Sequence, residues 1–122
     1  RWGSNWEDIQ TNIKRYSEIA DVNVGPTIQI MNVLYYNELE DWCNKHDYKI
    51  YDNILINPKW LSIKNSVDLI KNNLGKFNSY NIESTDSECY MLFKKYISIL
   101  DKIRKVNIKD FIPKVASAYD IN

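Results

Sequence analysis

The side chains best placed to do chemistry in this chain are two asparagines, Asn32 and Asn57, each directly following a segment with strand character. A primary amide donates and accepts at once, which suits ribose, amide or carboxylate recognition. Ligands of parallel α/β folds gather at the carboxyl ends of strands, which is where these two residues fall. A local turn role is equally open to both, because asparagine favours strand exits. His46, the sole histidine, falls near a helix C-terminus, where carbonyl capping or surface packing accounts for it better than general-base catalysis. Cys43 and Cys89 each sit in a helical pattern and are expected to be free, buried thiols, with a disulfide left open because spacing gives no distance. By themselves they cannot supply the usual set of thiolates of an iron–sulfur cluster.

The common catalytic signatures are absent: there is no Gly-rich phosphate loop, no GxSxG, no CxxC and no HExxH. No residue is therefore assigned as catalytic and none as a metal ligand. The acidic pairs Glu38/Asp41 and Asp86/Glu88 fit solvated helix surface and N-terminal charge placement rather than a working acid and base. Of the four tryptophans, Trp6 and Trp42 lie on apolar helical stripes and are expected in the core. Trp2 and Trp60 lie in less regular segments and are the candidates for contact with a substrate or partner.

The elements that must position these residues follow from hydrophobic spacing. Ser4-Asn5-Trp6-Glu7 fits a capping box with Ser4 as N-cap, opening a helix whose Trp6, Ile9, Ile13, Tyr16 and Ala20 share one face. Val22 to Met31 reads as a strand interrupted by Gly25-Pro26, so its well-paired part is expected after the proline. Val33 to His46 reads as a helix with Tyr35, Leu39, Trp42, Cys43 and His46 on one stripe, and Tyr48 to Asn57 as a second strand, apolar on both faces. Strand, helix, strand predicts a βαβ unit with two parallel neighbours joined by a right-handed crossover.

The second half changes character. Trp60 to Ile63 predicts an irregular or single-turn segment, and Ser66 caps a short helix over Val67 to Leu74 with Gly75 at its exit. Lys76 to Ser84 reads as a polar loop. Thr85-Asp86-Ser87-Glu88 is a second capping box, opening the longest helix, Asp86 to Lys105, with Cys89, Leu92, Phe93, Tyr96, Leu100 and Ile103 as its buried stripe. A last short helix starts at Asn107 and stops near Pro113, with a fraying tail from Lys114. The predicted fold class is α/β: residues 1–63 form the end of a partial α/β barrel, and residues 64–122 form a helical C-terminal extension packed on it in the same domain.

Composition narrows the partners. The chain has 122 residues, enough for one domain or part of one. Lys plus Arg and Asp plus Glu are equal at 16 each, so no net field draws in nucleic acid or an anionic membrane. No apolar run approaches the ~20 residues of a membrane span, and no signal peptide is visible; a cytoplasmic protein is expected. The chain opens at Arg1 rather than Met, so its true start is expected to lie upstream.

The run Arg1-Trp2-Gly3-Ser4-Asn5-Trp6-Glu7-Asp8-Ile9 with Asn12-Ile13 resembles the later barrel of radical S-adenosylmethionine enzymes, chiefly those with a SPASM or shortened twitch extension. Thr27 to Met31, Asn32 and the aromatic Val33 to Trp42 segment follow in that family's order. So do Asn57-Pro58-Lys59-Trp60-Leu61-Ser62-Ile63 and the terminal Leu100 to Lys105 and Asp110 to Pro113 stretches. The resemblance spans most of the chain through short motifs. It implies a partial barrel whose early part carries CxxxCxxC, a [4Fe–4S] cluster and S-adenosylmethionine, with a peptide or small polar metabolite as substrate. That cysteine motif does not exist here, so this chain is expected to hold no cofactor and to be inactive alone. The resemblance also implies that Asn32, and more weakly Asn57, faces the cofactor or substrate. Strands without their barrel neighbours leave an open edge and core face, which predicts self-association. Two other functions fit the same residues: a stand-alone, non-catalytic α/β interaction module, and a small nucleotide-binding, transferase-like domain built around Asn32 and Asn57.

Overall fold

A computed structural model describes residues 4–81 and 86–122; Trp2 and Thr85 lie outside the described residues. The two strand regions pair in parallel, as expected, but each is broken in the middle. β1 (Asn23–Val24) pairs with β3 (Lys49–Ile50), and β2 (Thr27–Ile28) pairs with β4 (Asn53–Ile54). Regular strand is therefore much shorter than Val22–Met31 and Tyr48–Asn57. The cause is Pro26, which has no amide hydrogen and cannot donate to a ladder. Its carbonyl still accepts. The Tyr51, Asn53 and Leu55 amides donate to the Val24, Pro26 and Ile28 carbonyls at 2.9, 3.1 and 2.9 Å. One parallel ladder thus runs through the proline, not only after it. Beyond it the Ile30 amide donates to the Leu61 carbonyl at 2.9 Å, which fastens the strand exit to the short 3₁₀ turn Lys59–Leu61.

The helix α2 (Tyr36–Lys45) connects the two regions. A 3₁₀ turn over Val33–Tyr35 precedes it, so the α-helix starts three residues later than the periodicity predicts. His46 is its C-cap: the backbone amide donates to the last-turn carbonyls, and the exposed ring packs by Trp42 at 4.9 Å between centroids.

The first helix, α1 (Trp6–Ser17), is capped by Asn5 rather than Ser4. Extended backbone at Asn5 brings its Oδ1 to 2.8 Å from the Glu7 amide, a satisfied N-cap one residue on. No residue of α1 is buried, and Trp6 is 46% exposed, so the expected core stripe is not formed. Trp42 is its anchor. The indoles of Trp6 and Trp42 meet edge to face at 5.0 Å, and Trp42 Nε1 donates to Gln10 Oε1 at 2.9 Å.

The second half is helical. Its α3 (Asp68–Lys71) is shorter than the predicted 67–74 and has Val67, not Ser66, at its N-cap; the Ser66 hydroxyl instead donates to the Ile63 carbonyl at 2.7 Å. Gly75 is not the exit of α3, which is Asn72; it lies four residues beyond the helix and takes a left-handed φ of 57°. It opens a 3₁₀ segment, Gly75–Tyr80, where a polar loop was predicted. The reason is Phe77, which buries against Tyr36 edge to face at 4.9 Å. The long helix α4 (Ser87–Arg104) is capped by Asp86, whose Oδ1 accepts from the Glu88 amide at 2.9 Å. Cys89, Phe93 and Ile97 form its buried stripe, while Ile103 is 73% exposed. The covered stripe follows a spacing of four and ends before the last turn, leaving Ile103 in solvent.

Pro113 starts a helix instead of stopping one. α5 (Pro113–Ala118) has proline in its first turn, where the missing amide hydrogen would have had no partner anyway. The predicted fraying tail is core: Val115, Ala116 and Tyr119 are all buried. Tyr119 stacks on Tyr90 at 5.5 Å and packs by Phe93 at 4.2 Å, and burial pushes its phenol well above the ordinary range. The core joins both halves of the chain, with Ile28 of β2 and Ile30 of the turn after it meeting Ile63, Ile70, Phe93 and Ile97 in one cluster. The chain is mixed α/β, with a βαβ unit under a helical C-terminal half.

The isolation of α1 makes Trp42→Ala selective. We expect a loss of about 2 kcal/mol, below the ~3–5 of a fully buried tryptophan. Hydrogen exchange should speed up across α1 while the amides of Phe93 and Ile97 stay protected. Unchanged protection in α1 would show that it has another anchor.

Candidate functional site

The exit of the first strand region is a turn closed by Asn32. Its Oδ1 accepts from the Gln29 amide at 2.9 Å, and its Nδ2 donates to the Thr27 carbonyl at 2.8 Å. The amide thus pins the last strand residues, and one N–H and one lone pair remain for anything else. Asn57 is exposed three residues beyond β4, before the cis peptide to Pro58. Trp60 is not an open platform. It is partly buried on α4, with its ring 4.5 Å from that of Tyr96. Trp2 lies outside the described residues. Asn32 and Trp60 are thus both engaged in the fold.

Two groupings were missed by sequence reasoning. The first is a polar hub joining α2, the linker between β3 and β4, and the Gly75–Tyr80 segment. Lys76 Nζ donates to Glu40 Oε1 at 2.8 Å and to the Tyr36 hydroxyl at 2.7 Å, and lies 2.9 Å from Asp52 Oδ2. The Tyr36 hydroxyl in turn donates to Asp52 Oδ1 at 2.5 Å. Burial acts to lower the Lys76 pKa, but the bonds to Glu40, Tyr36 and Asp52 outweigh it and hold the ammonium well above its ordinary value. The Tyr36 phenol is also pushed up, first by burial and then by the Asp52 carboxylate. Both groups therefore keep their protons near neutrality, and the hub acts as a tie rather than as a base or nucleophile. No local signal could show it, because Lys76 is 36 residues from Glu40.

The second grouping is an open apolar cleft of about 330 Å³ beside the first strand's exit. Met31, Leu100, Ile108, Phe111 and Ile112 supply apolar wall, with Asp101 and Arg104 from the end of α4. Asp101 is held in place, its Oδ2 accepting from the Ile108 amide at 3.1 Å. Its size and mainly apolar lining with few polar groups are those of a binding site. The i, i+3 pair of Asp101 and Arg104 was visible in the sequence, but the Val106–Ile112 wall depends on how the chain folds back after α4.

No family model matches this chain, and neither a curated protein nor a solved structure does.

The cysteines are free. Cys43 and Cys89 are buried on α2 and α4, and burial is the first cause raising both thiols above their ordinary value. Thiols held protonated in this way are poor nucleophiles and poor metal ligands. Among the described residues, no helix is long and apolar enough to cross a membrane.

Lys76→Met tests the hub. Its Nζ carries three bonds but the side chain is 41% exposed, so after solvent screening the loss should be about 1 kcal/mol. A raised folded-state pKa means that the contribution is full below the ordinary value of 10.5 and is lost as pH rises through the higher folded value. Wild type and variant should therefore differ in denaturant midpoint at pH 7 and converge at strongly alkaline pH. A constant difference across that range would show that packing, not charge, is what the lysine supplies.

Proposed function

We propose that this chain is the C-terminal, substrate-side part of a radical S-adenosylmethionine enzyme of SPASM or twitch type, and that it is not catalytic by itself. The observation that carries this reading is the parallel ladder from Val24–Tyr51 to Ile28–Leu55, crossed by α2. It is the unit from which a parallel barrel is built, and its position agrees with the ordered motifs that resemble that family. In this reading residues 1–63 are the last part of a partial barrel and residues 64–122 its helical extension. Among the described residues each strand region pairs only with the other, so barrel neighbours would continue the sheet on the open side.

The donor chemistry of this chain does not fit an iron–sulfur cluster. Its two cysteines are buried on separate helices with raised thiol pKa values, so the cluster and S-adenosylmethionine belong to the preceding part of the parent. Asn32 and Asn57 would lie at strand exits facing that cofactor or a peptide or small polar substrate. Asn57 is the more exposed, whereas most of the Asn32 amide is spent on its own turn. We place the parent in the cytoplasm, where free thiols such as these persist. Alone, the chain self-associates through the edge and face that barrel neighbours would cover. A stand-alone interaction module is the second reading, favoured by the exposed Ile103 and Phe111 near the cleft.

The coding sequence preceding Arg1 decides between these readings. A CxxxCxxC motif in frame, within roughly the length of one domain upstream, is expected; a start codon immediately before Arg1 would contradict the proposal. Iron–sulfide reconstitution of this chain alone should give no cluster absorption, and sedimentation should show association at high micromolar concentration. Strong cluster absorption, or a clean monomer, would count against the corresponding part of the reading.

A further inference from the structure

The cleft at the end of α4 is mainly apolar inside and is built largely from a segment of basic sequence. Asp101, Arg104, Val106, Ile108 and Phe111 line it, while Lys102, Lys105 and Lys109 alternate with them in sequence and are exposed. Residues 94–114 carry seven basic side chains against two acidic ones, in a chain whose overall charge is balanced. Two large apolar side chains at the same end of the molecule, Ile103 and Phe111, are 73% and 62% exposed.

We propose that this cleft docks an acidic peptide segment that inserts one large apolar side chain between Leu100, Ile108 and Phe111. Charge complementarity selects the acidic partner: carboxylates of the peptide meet the exposed Lys102, Lys105 and Lys109 next to the lining residues, and the apolar anchor is desolvated inside the cleft. The concave shape favours a peptide over a lipid surface, because a bilayer face cannot project a single group into a pocket of about 330 Å³. A nucleic acid would meet the lysines but would leave the apolar wall unfilled. This inference does not rest on the radical-enzyme reading, since it needs only the shape of the cleft and the charge of the segment around it.

The test uses the whole chain and a fluorescein-labelled, blocked decapeptide with one tryptophan flanked by glutamates, read by fluorescence anisotropy. Saturable binding is expected, weakened about tenfold or more when the peptide tryptophan is replaced by alanine. The triple charge reversal Lys102→Glu, Lys105→Glu and Lys109→Glu should weaken it further as salt is lowered, and Phe111→Ser should weaken it at every salt concentration. These four residues are exposed, so circular dichroism should show each variant folded. Equal affinity for the alanine peptide, or for a peptide with lysines in place of the glutamates, would overturn the proposal. So would capture by phosphatidylglycerol vesicles without peptide binding.

Discussion

The amides of Tyr51, Asn53 and Leu55, reaching across to the carbonyls of Val24, Pro26 and Ile28, are the constraint on which the rest of the molecule depends. Parallel strands cannot be joined by a tight turn, so the chain between them must leave the sheet, run back and return. The 3₁₀ turn at Val33–Tyr35 and α2 are that return path. Once the ladder is set, Ile28 and Ile30 are committed to one side, where both are almost fully buried. The helical half then has to supply the matching surface, and Ile63, Ile70, Phe93, Ile97, Val115 and Tyr119 do so.

The two ends of the chain differ in how they meet this core. α5 sends Val115, Ala116 and Tyr119 into it, and the Tyr90 hydroxyl bonds the Tyr119 carbonyl at 3.2 Å. α1 buries nothing fully: Ile9 and Ile13 are half-buried, and Trp42 meets it through one ring contact and one hydrogen bond. Hydrophobic stabilisation scales with apolar area removed from water, so the C-terminal helix is the structural member and the N-terminal helix the appended one. The Lys76 hub adds a polar tie between the βαβ unit and the segment leading to α4, beside the buried edge-to-face contact of Tyr36 and Phe77 that joins the same two elements.

Local signals proved legible wherever the physics is local. The parallel βαβ order and the helix at Ser87–Arg104 follow from spacing and capping within a few residues, whereas for Asn32 position left a turn and a ligand role equally open. The readings that missed share one feature: they depended on what lies across the molecule. Trp6 and Ile103 sit on sound helical stripes, but Trp6 is covered only in part, by Trp42, and Ile103 is left largely in solvent. Pro113 can end a helix or begin one, and only the pocket that receives Tyr119 decides which. The cleft is assembled from the strand exit and two segments after Leu100, and the hub from three separated elements, so neither could be assigned before the chain was folded.

The ladder also orients both strand exits, and with them Asn32, Asn57 and the cleft beside Met31, so its register is the point on which the functional account turns. Through-hydrogen-bond scalar couplings in an isotopically labelled sample measure that register directly. Couplings from the amide nitrogens of Tyr51, Asn53 and Leu55 to the carbonyl carbons of Val24, Pro26 and Ile28 are the predicted result. Couplings that pair Val24 with the end of the second region and Ile28 with its start would mean antiparallel strands. That would remove both the βαβ unit and the barrel reading built on it.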